Sequence, residues 1–166
     1  ESKALAAHKS LFFVEFFVKN PDEFKSFLFA AKKILDAGAL GVYVENSGCA
    51  WSAKAFADLA SGEVPMEAFV NVIQTSDSLF TLGLEPFNLP DLCTAVKDPL
   101  SVDECRAVLM AAAASIFEDG AEYGSGEKWK DEDREFEFKK ESKAPFGKDT
   151  PEFNSQGYAR LVLRSK

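Results

Sequence analysis

The run Leu11–Val18 (LFFVEFFV) is apolar at every position except Glu15, a pattern that predicts a central β-strand covered on both faces. Asn20-Pro21-Asp22-Glu23 then predicts a helix start, with Asn20 as N-cap, Pro21 in the first turn and Glu23 closing a capping box. Phe24, Phe27, Leu28, Ala31, Ile34 and Leu35 follow at spacings of three and four, which makes one apolar stripe. Lys32 and Lys33 suit the negative end of the helix dipole, and Gly38 stops the helix. Leu40–Val44 is the next short strand, so strand, helix and strand form a βαβ unit with its two strands expected to run parallel.

Ser52 caps a shorter helix over Ala53–Ala60, and Ala68–Gln74 is predicted as a third strand. Leu79–Leu84 and Leu92–Val96 are joined by EPFNLPD, whose prolines and Asn88 predict a hairpin connection. Ser101-Val102-Asp103-Glu104 is a second capping box and opens the longest helix, striped by Val102, Cys105, Val108, Leu109, Ala112 and Ile116 and ending at Asp119-Gly120. Glu122–Ser142 is densely charged, with Phe136 and Phe138 alternating inside it, and reads as a solvated edge strand or long hairpin. Residues 1–8 read as a tail or lead-in strand, 121–135 as the flexible excursion and 144–156 as a loop. Tyr158–Leu163 closes the chain as a strand. The order β-α-β-α-β-β-β-α-β-β predicts a single two-layer α+β domain: a mixed β-sheet with three helices packed mainly on one face.

The stretch from Leu40 to Val96, together with what flanks it, resembles an uncharacterised bacterial family labelled domain of unknown function 4261. The features shared are LGVYVEN after the first helix, the helix opening from Ser52 to Phe56, and the hairpin Thr81-Leu82-Gly83-Leu84…Phe87…Leu89-Pro90. The Leu109 helix leading to Asp119-Gly120 and the closing Arg160-Leu161 strand complete the match, which spans roughly Leu11 to Leu163. Two places depart from the family pattern. Asp91-Leu92-Cys93-Thr94 stands where members show a Glu-rich strand, and Asp119-Gly120-Ala121-Glu122 stands where they show Asp-Gly-Asp-Thr. The resemblance implies an α+β fold and a bacterial origin. The family has no assigned reaction, so no catalytic residue carries over.

Composition narrows the function classes. The chain has 166 residues and 16 phenylalanines, enough aromatic surface for a large core, since each buried ring removes on the order of 150–250 Å² from water. Acidic residues outnumber basic ones by 27 to 19, giving a net charge of −8, and no basic run exceeds two residues. That balance disfavours nucleic acid, whose binding needs neutralised phosphates, and equally an anionic membrane surface. No apolar run approaches the roughly 18 residues of a membrane helix. The start ESKALAAHKS has no signal-peptide core; because residue 1 is Glu, the chain is expected to be trimmed there, which leaves room for a removed leader. Three cysteines, an odd number without paired spacing, favour reduced thiols in the cytoplasm over a disulfide framework or a zinc site.

Two places carry candidate chemistry. In Asn46-Ser47-Gly48-Cys49-Ala50-Trp51-Ser52 the chain is expected to leave a strand and enter a helix N-terminus, where Ser47, Gly48, Cys49, Trp51 and Ser52 would form a ligand or anion loop with an activated thiol at Cys49. The plainer reading is a tight turn with Trp51 packed over the helix. The other place is the charged edge at Glu127–Ser142, with Trp129, Phe136 and Phe138 as anchors for a partner strand. His8 and Cys49 are expected at opposite ends of parallel strands, which argues against a thiol hydrolase. The acids of 131–137 alternate with Lys and Arg and read as a self-compensating surface; Asp131-x-Asp133 lacks the rest of a calcium loop. Glu15 is expected at an edge or paired with Arg160 or Arg164, and Cys93 and Cys105 in the core. Nucleotide-binding and common hydrolase motifs are absent from the sequence.

These readings lead to a non-enzymatic accessory or protein-interaction domain that recognises another protein or itself, with no cofactor and no metal. The alternative is a small-molecule or anion-binding domain using the Ser47–Ser52 loop, with or without thiol chemistry.

Overall fold

The computed structural model describes residues 6–16, 18–62, 65–97, 99–119, 124–131, 134–141 and 145–164. Helix α1 spans Pro21–Asp36, and its start is the one the sequence predicts. The Asn20 side chain accepts from the Glu23 N–H at 2.9 Å, while a Glu23 carboxylate oxygen accepts from the Lys19 N–H at 2.8 Å. Strands β1 (Gly41–Val44) and β2 (Cys49–Ser52) form a small antiparallel sheet, followed by α2 (Ala53–Ala60). Strands β3 (Asn71–Gln74), β4 (Ser78–Leu82) and β5 (Asp91–Ala95) precede the long helix α3 (Val102–Asp119). Strands β6 (Lys128–Asp131), β7 (Arg134–Lys140) and β8 (Tyr158–Leu163) complete the fold.

Six strands make a mixed sheet in the order β3-β4-β5-β8-β7-β6. All its pairings are antiparallel except β5–β8, whose parallel register sets Asp91 opposite Tyr158 and Cys93 opposite Arg160. The fold is therefore α+β, as the element pattern predicts. The predicted β4–β5 hairpin is present, with Ser78 opposite Ala95, and the connection turns at Asn88, a non-glycine residue with a φ of 59°. The capping box of α3 is present too: a Glu104 oxygen accepts from both the N–H and the hydroxyl of Ser101, at 2.9 and 2.7 Å. The predicted third strand is shorter than expected, because Pro65–Ala68 winds into a short 3-10 helix.

The first strand is the main correction. Residues 11–16 and 18 take no regular structure, and Leu11, Phe12 and Phe13 are 73%, 79% and 85% exposed. Among the described residues the expected βαβ unit is therefore not formed; β1 pairs antiparallel with β2 instead. The physical reason lies in the sheet. The closing strand β8 fills the central slot between β5 and β7, and the fully covered pattern expected of Leu11–Val18 is met by β4, buried at every position. Phe17, the Gly120 helix stop, the turn at 121–122 and the acids at 132–133 lie outside the described residues.

One face of the large sheet packs on α3, while α2 packs on the small β1–β2 sheet and α1 and α2 join the same core through the aromatic rings below. Phe24 of α1 is the hub there. Its ring meets Phe69, Phe87 and Phe117 edge-on at centroid distances of 5.3, 5.3 and 5.5 Å. Phe56 of α2 joins the same cluster through Phe69 at 5.4 Å. On the other face Phe80, Cys93 and Tyr158 are covered by Phe146 from the loop before β8. That loop, expected to be irregular, thus supplies part of the second layer.

This division of the aromatic residues makes a direct prediction. Phe138→Ala, at a fully enclosed ring, is expected to lower unfolding stability by about 3–5 kcal/mol. Phe13→Ala is expected to change it by less than about 0.5 kcal/mol. Urea titrations followed by far-UV circular dichroism read both; a Phe13 effect as large as the Phe138 effect contradicts the described packing.

Candidate functional site

The Ser47–Ser52 segment is a hairpin arm and not an open loop. Glu45–Ser47 forms a 3-10 turn, Gly48 follows in the left-handed region at φ 66°, and Cys49 already pairs with Val44 in the β1–β2 ladder. The expected exit from a parallel strand into a helix therefore does not exist here. Cys49 is buried, not presented. The donors at the start of α2 are largely spent within the fold: the Ala53 N–H binds the Leu40 carbonyl at 3.2 Å, and the Ala55 N–H binds the Ser52 hydroxyl at 3.2 Å. Ser52 is the cap that was predicted, and capping is what occupies it. The Trp51 indole donates to the Ala68 carbonyl at 2.9 Å, and the Asn71 amide donates to the Ser47 carbonyl at 3.3 Å. These two bonds staple the small sheet to the chain leading into β3. This is the plainer reading of the segment: Trp51 packs and the turn holds register. The Ser47 hydroxyl is buried and finds no hydrogen-bond partner among the described residues. Its Cβ would stand 3.0 Å from a Cβ at Gly83, which a side chain there would also drive to 2.6 Å from the Phe69 carbonyl oxygen.

The three rings proposed as anchors on the charged hairpin also turn inward. Trp129, Phe136 and Phe138 are all buried, and Trp129 lies 5.7 Å from Phe136 between ring centroids. The period of two on β6 and β7 sends their aromatic residues to the core and their charges to water, so these rings are core and not partner anchors. The charges pair as the sequence suggests. Lys128 meets Glu135 at 3.0 Å, Arg134 meets Asp131 at 2.5 Å, and Arg164 meets Glu137 at 3.1 Å. Arg160 pairs with Glu141 at 2.7 Å, so the expected link from Glu15 to Arg160 or Arg164 is not made and Glu15 is exposed. Cys93 and Cys105 are core residues; burial pushes the Cys93 thiol up to about 11 and raises that of Cys105. Among the described residues no cluster of three or more His, Cys, Asp or Glu side chains is arranged to hold a metal ion.

The polar site that the sequence reading missed lies at Asp91. This carboxylate is 2% exposed. One oxygen accepts from the Thr81 hydroxyl at 2.8 Å and from the Leu84 N–H at 3.4 Å; the other accepts from the Asn154 amide at 2.7 Å. Asn154 also donates to the Leu89 carbonyl at 3.1 Å, and the Thr81 hydroxyl accepts from the Leu92 N–H at 2.7 Å. Nearby, a Glu85 oxygen accepts from the Ser155 N–H at 3.1 Å, and the Tyr158 hydroxyl donates to the Glu152 carbonyl. Burial dominates the titration of Asp91 and lifts it to about 6, although the three donors favour the charged form. A carboxyl group near neutrality is suited to acid–base work. Here both oxygens are already bonded within the fold and the group is enclosed, so its role is to latch the 145–157 loop onto the β4–β5 hairpin. An Asp opening an otherwise apolar strand (DLCTA), ten residues after a Thr in SLFTL, was the signal available in the sequence.

A groove of about 2240 Å³ lies between residues 8–16, α1, β1 and the 83–90 turn, and is lined also by Ile116 and Phe117 of α3. Small-molecule sites measure about 300–1,000 Å³, so this is a surface groove on the scale of a peptide. Its lining includes the aromatic residues Phe24, Phe27 and Phe69, the acids Glu15, Glu45, Glu85 and Glu118, and Lys9 and Lys19. No family model, no curated protein and no solved structure matches the chain.

Two outcomes follow from these placements. Because Asp91 binds its proton more tightly folded (about 6) than unfolded (about 3.9), its protonation stabilises the fold fully below pH 4, and that contribution is lost as pH rises through 6. A shift of two units amounts to about 3 kcal/mol. The difference in unfolding free energy between wild type and Asp91→Asn is expected to change by about that much between pH 4 and pH 7; a pH-independent difference refutes it. Cys49 in the native protein is expected to react with iodoacetamide at least tenfold more slowly than in 6 M guanidinium, read by intact mass; native labelling as fast as in the unfolded chain refutes its burial.

Proposed function

We propose that this chain is a non-enzymatic protein-interaction domain whose contact surface is the apolar segment Leu11–Phe16 and the groove beside it. The observation that carries this reading is the concentration of exposed apolar side chains in one region. Leu11, Phe12 and Phe13 stand out from the surface, and Leu40 and Tyr43 (67% exposed) border the same groove. Contiguous exposed apolar surface of this kind marks interaction sites. The contact surface moves from the charged β6–β7 edge, whose aromatic residues are internal, to the start of the chain.

The chemistry elsewhere supports the same reading. The thiols are buried, the one carboxyl group lifted toward neutrality among the described residues has both oxygens engaged, and the Ser52 end of α2 has its first donors bonded. The resemblance to a family without an assigned reaction fits an accessory role, in a bacterial cytoplasm where three unpaired thiols stay reduced. A nucleic-acid partner is disfavoured by the net charge of −8. No helix among the described residues is long and apolar enough to cross a membrane.

In-cell photo-crosslinking tests the proposal. A benzophenone amino acid in place of Phe13 is expected to capture a discrete protein adduct. That adduct is expected to be lost on Tyr43→Asp, and to be absent when the probe replaces the exposed Lys148. Equal labelling at both positions, or none at position 13, overturns it.

A further inference from the structure

On the second face of the large sheet, we infer that the 145–157 loop is a proton-controlled cover. A proton on Asp91 keeps it clamped over Phe80, Cys93 and Tyr158, and loss of that proton to solvent lets it lift. The inference goes beyond the interaction-domain reading and does not depend on what occupies the groove. No helix or strand runs through the loop, so side chains do much of the holding. Asn154, 2% exposed, donates to one Asp91 oxygen at 2.7 Å and to the Leu89 carbonyl at 3.1 Å. The next residue, Ser155, donates to Glu85 through its N–H at 3.1 Å and its hydroxyl at 2.5 Å. Two carboxylates thus grip consecutive residues. The Tyr158 hydroxyl adds a bond to the Glu152 carbonyl, and the Phe146 ring rests on Phe80 and Tyr158 at centroid distances of 5.2 and 5.9 Å.

The cluster around Asp91 takes up a proton and stays bonded. The Thr81 hydroxyl oxygen stands 2.8 Å from Asp91 and 3.5 Å from the Leu92 carbonyl oxygen, and it accepts from the Leu92 N–H at 2.7 Å. A protonated Asp91 therefore donates to Thr81, whose own hydrogen swings to the Leu92 carbonyl, while Asn154 still donates to the other Asp91 oxygen. The ionised form keeps its three donors but holds a charge away from water. Facing it are Glu85 from the 83–90 turn, the Tyr158 hydroxyl from β8 and Glu152 from the loop, none of which carries positive charge. Cys93, on β5 itself, is a neutral thiol, and Arg160 of β8 stands opposite Cys93 and is engaged by Glu141 at 2.7 Å. Water supplies the missing solvation only when the cover lifts, and an open loop lets Asp91 titrate as an ordinary carboxyl. Lifting bares Phe80, Cys93 and Tyr158, a patch separate from the main core.

Amide hydrogen exchange of the wild-type chain at pH 5.0 and 7.5, corrected for the intrinsic rate at each pH, tests this. Burial lifts Asp91 to about 6 with the loop closed, against about 3.9 in water, so the loop is expected to open about tenfold more often at pH 7.5 than at 5.0. The closed form binds the proton more tightly, so it is favoured most below pH 4 and loses ground as pH rises through 6. At both pH values the loop amides are expected to exchange faster than those of Val108 and Leu109, enclosed in α3. The Asp91 carboxyl carbon, followed by NMR in the same protein, is expected to titrate over the pH range in which the loop loosens. In Asp91→Asn the pH step is expected to vanish. A loop that exchanges no faster than Val108 and Leu109 opens only with the whole fold and overturns the inference. A pH step that survives Asp91→Asn overturns it too, as does an Asp91 that titrates like a carboxyl in water.

Discussion

The parallel pairing of β5 with β8 is the joint on which this fold depends. It brings together residues more than sixty positions apart, and it alone connects β3–β5 to β6–β7 within the sheet. Backbone pairing over three residues is a small contact for that task. The side chains reinforce it: Asp91 holds Asn154 just before β8, and the Thr94 hydroxyl reaches the Leu161 carbonyl at 3.0 Å across the same joint. An enclosed carboxylate is costly in isolation, and three donors offset that cost. The result is a loop at 145–157 fixed against the sheet, which lets Phe146 cover Phe80 and Tyr158 on the second face.

The other half of the molecule hangs on a different interaction. Phe24 is wedged edge-on among three rings contributed by the chain before β3, the β4–β5 turn and α3. This aromatic cluster locates α1, while the Trp51 and Asn71 bonds locate the small sheet. Between the two lies the groove, and its width follows from what these contacts leave unfilled. The apolar segment ahead of α1 is anchored by Phe16 and Val18, just before the Asn20 cap, so α1 fixes where the segment begins without fixing where its outer residues go.

With the interaction surface proposed above, the perturbed titratable groups and the recognition surface lie in different parts of the molecule. Among the described residues, the titratable groups that depart most from ordinary behaviour, Tyr158, Asp91 and Cys93, are enclosed and serve packing, and the charged β6–β7 hairpin neutralises itself at its surface. On the proposed reading, recognition falls mainly to the exposed apolar side chains Leu11, Phe12 and Phe13. The buried core does not include Leu11, Phe12, Phe13 or Val14, so the fold does not depend on covering them.

Local signals settled the helices and the hairpin. Asn20 with Glu23, Ser52, and Ser101 with Glu104 each act within four residues, so capping is written in the chain and survives into the structure unchanged. The alternation on β7 was equally legible, although its meaning was not: Phe136 and Phe138 alternate with charges whether their face meets a partner or the core. What only tertiary structure decided was which apolar segment wins a place in the sheet. LFFVEFFV and YARLVL both suit a strand, and burial is a competition for a limited number of slots. The choice fell to β8 because its neighbours in space, Asp91, Thr94 and Glu141, bind the chain around it. Those bonds join positions nineteen to sixty-seven residues apart, beyond the reach of any local pattern.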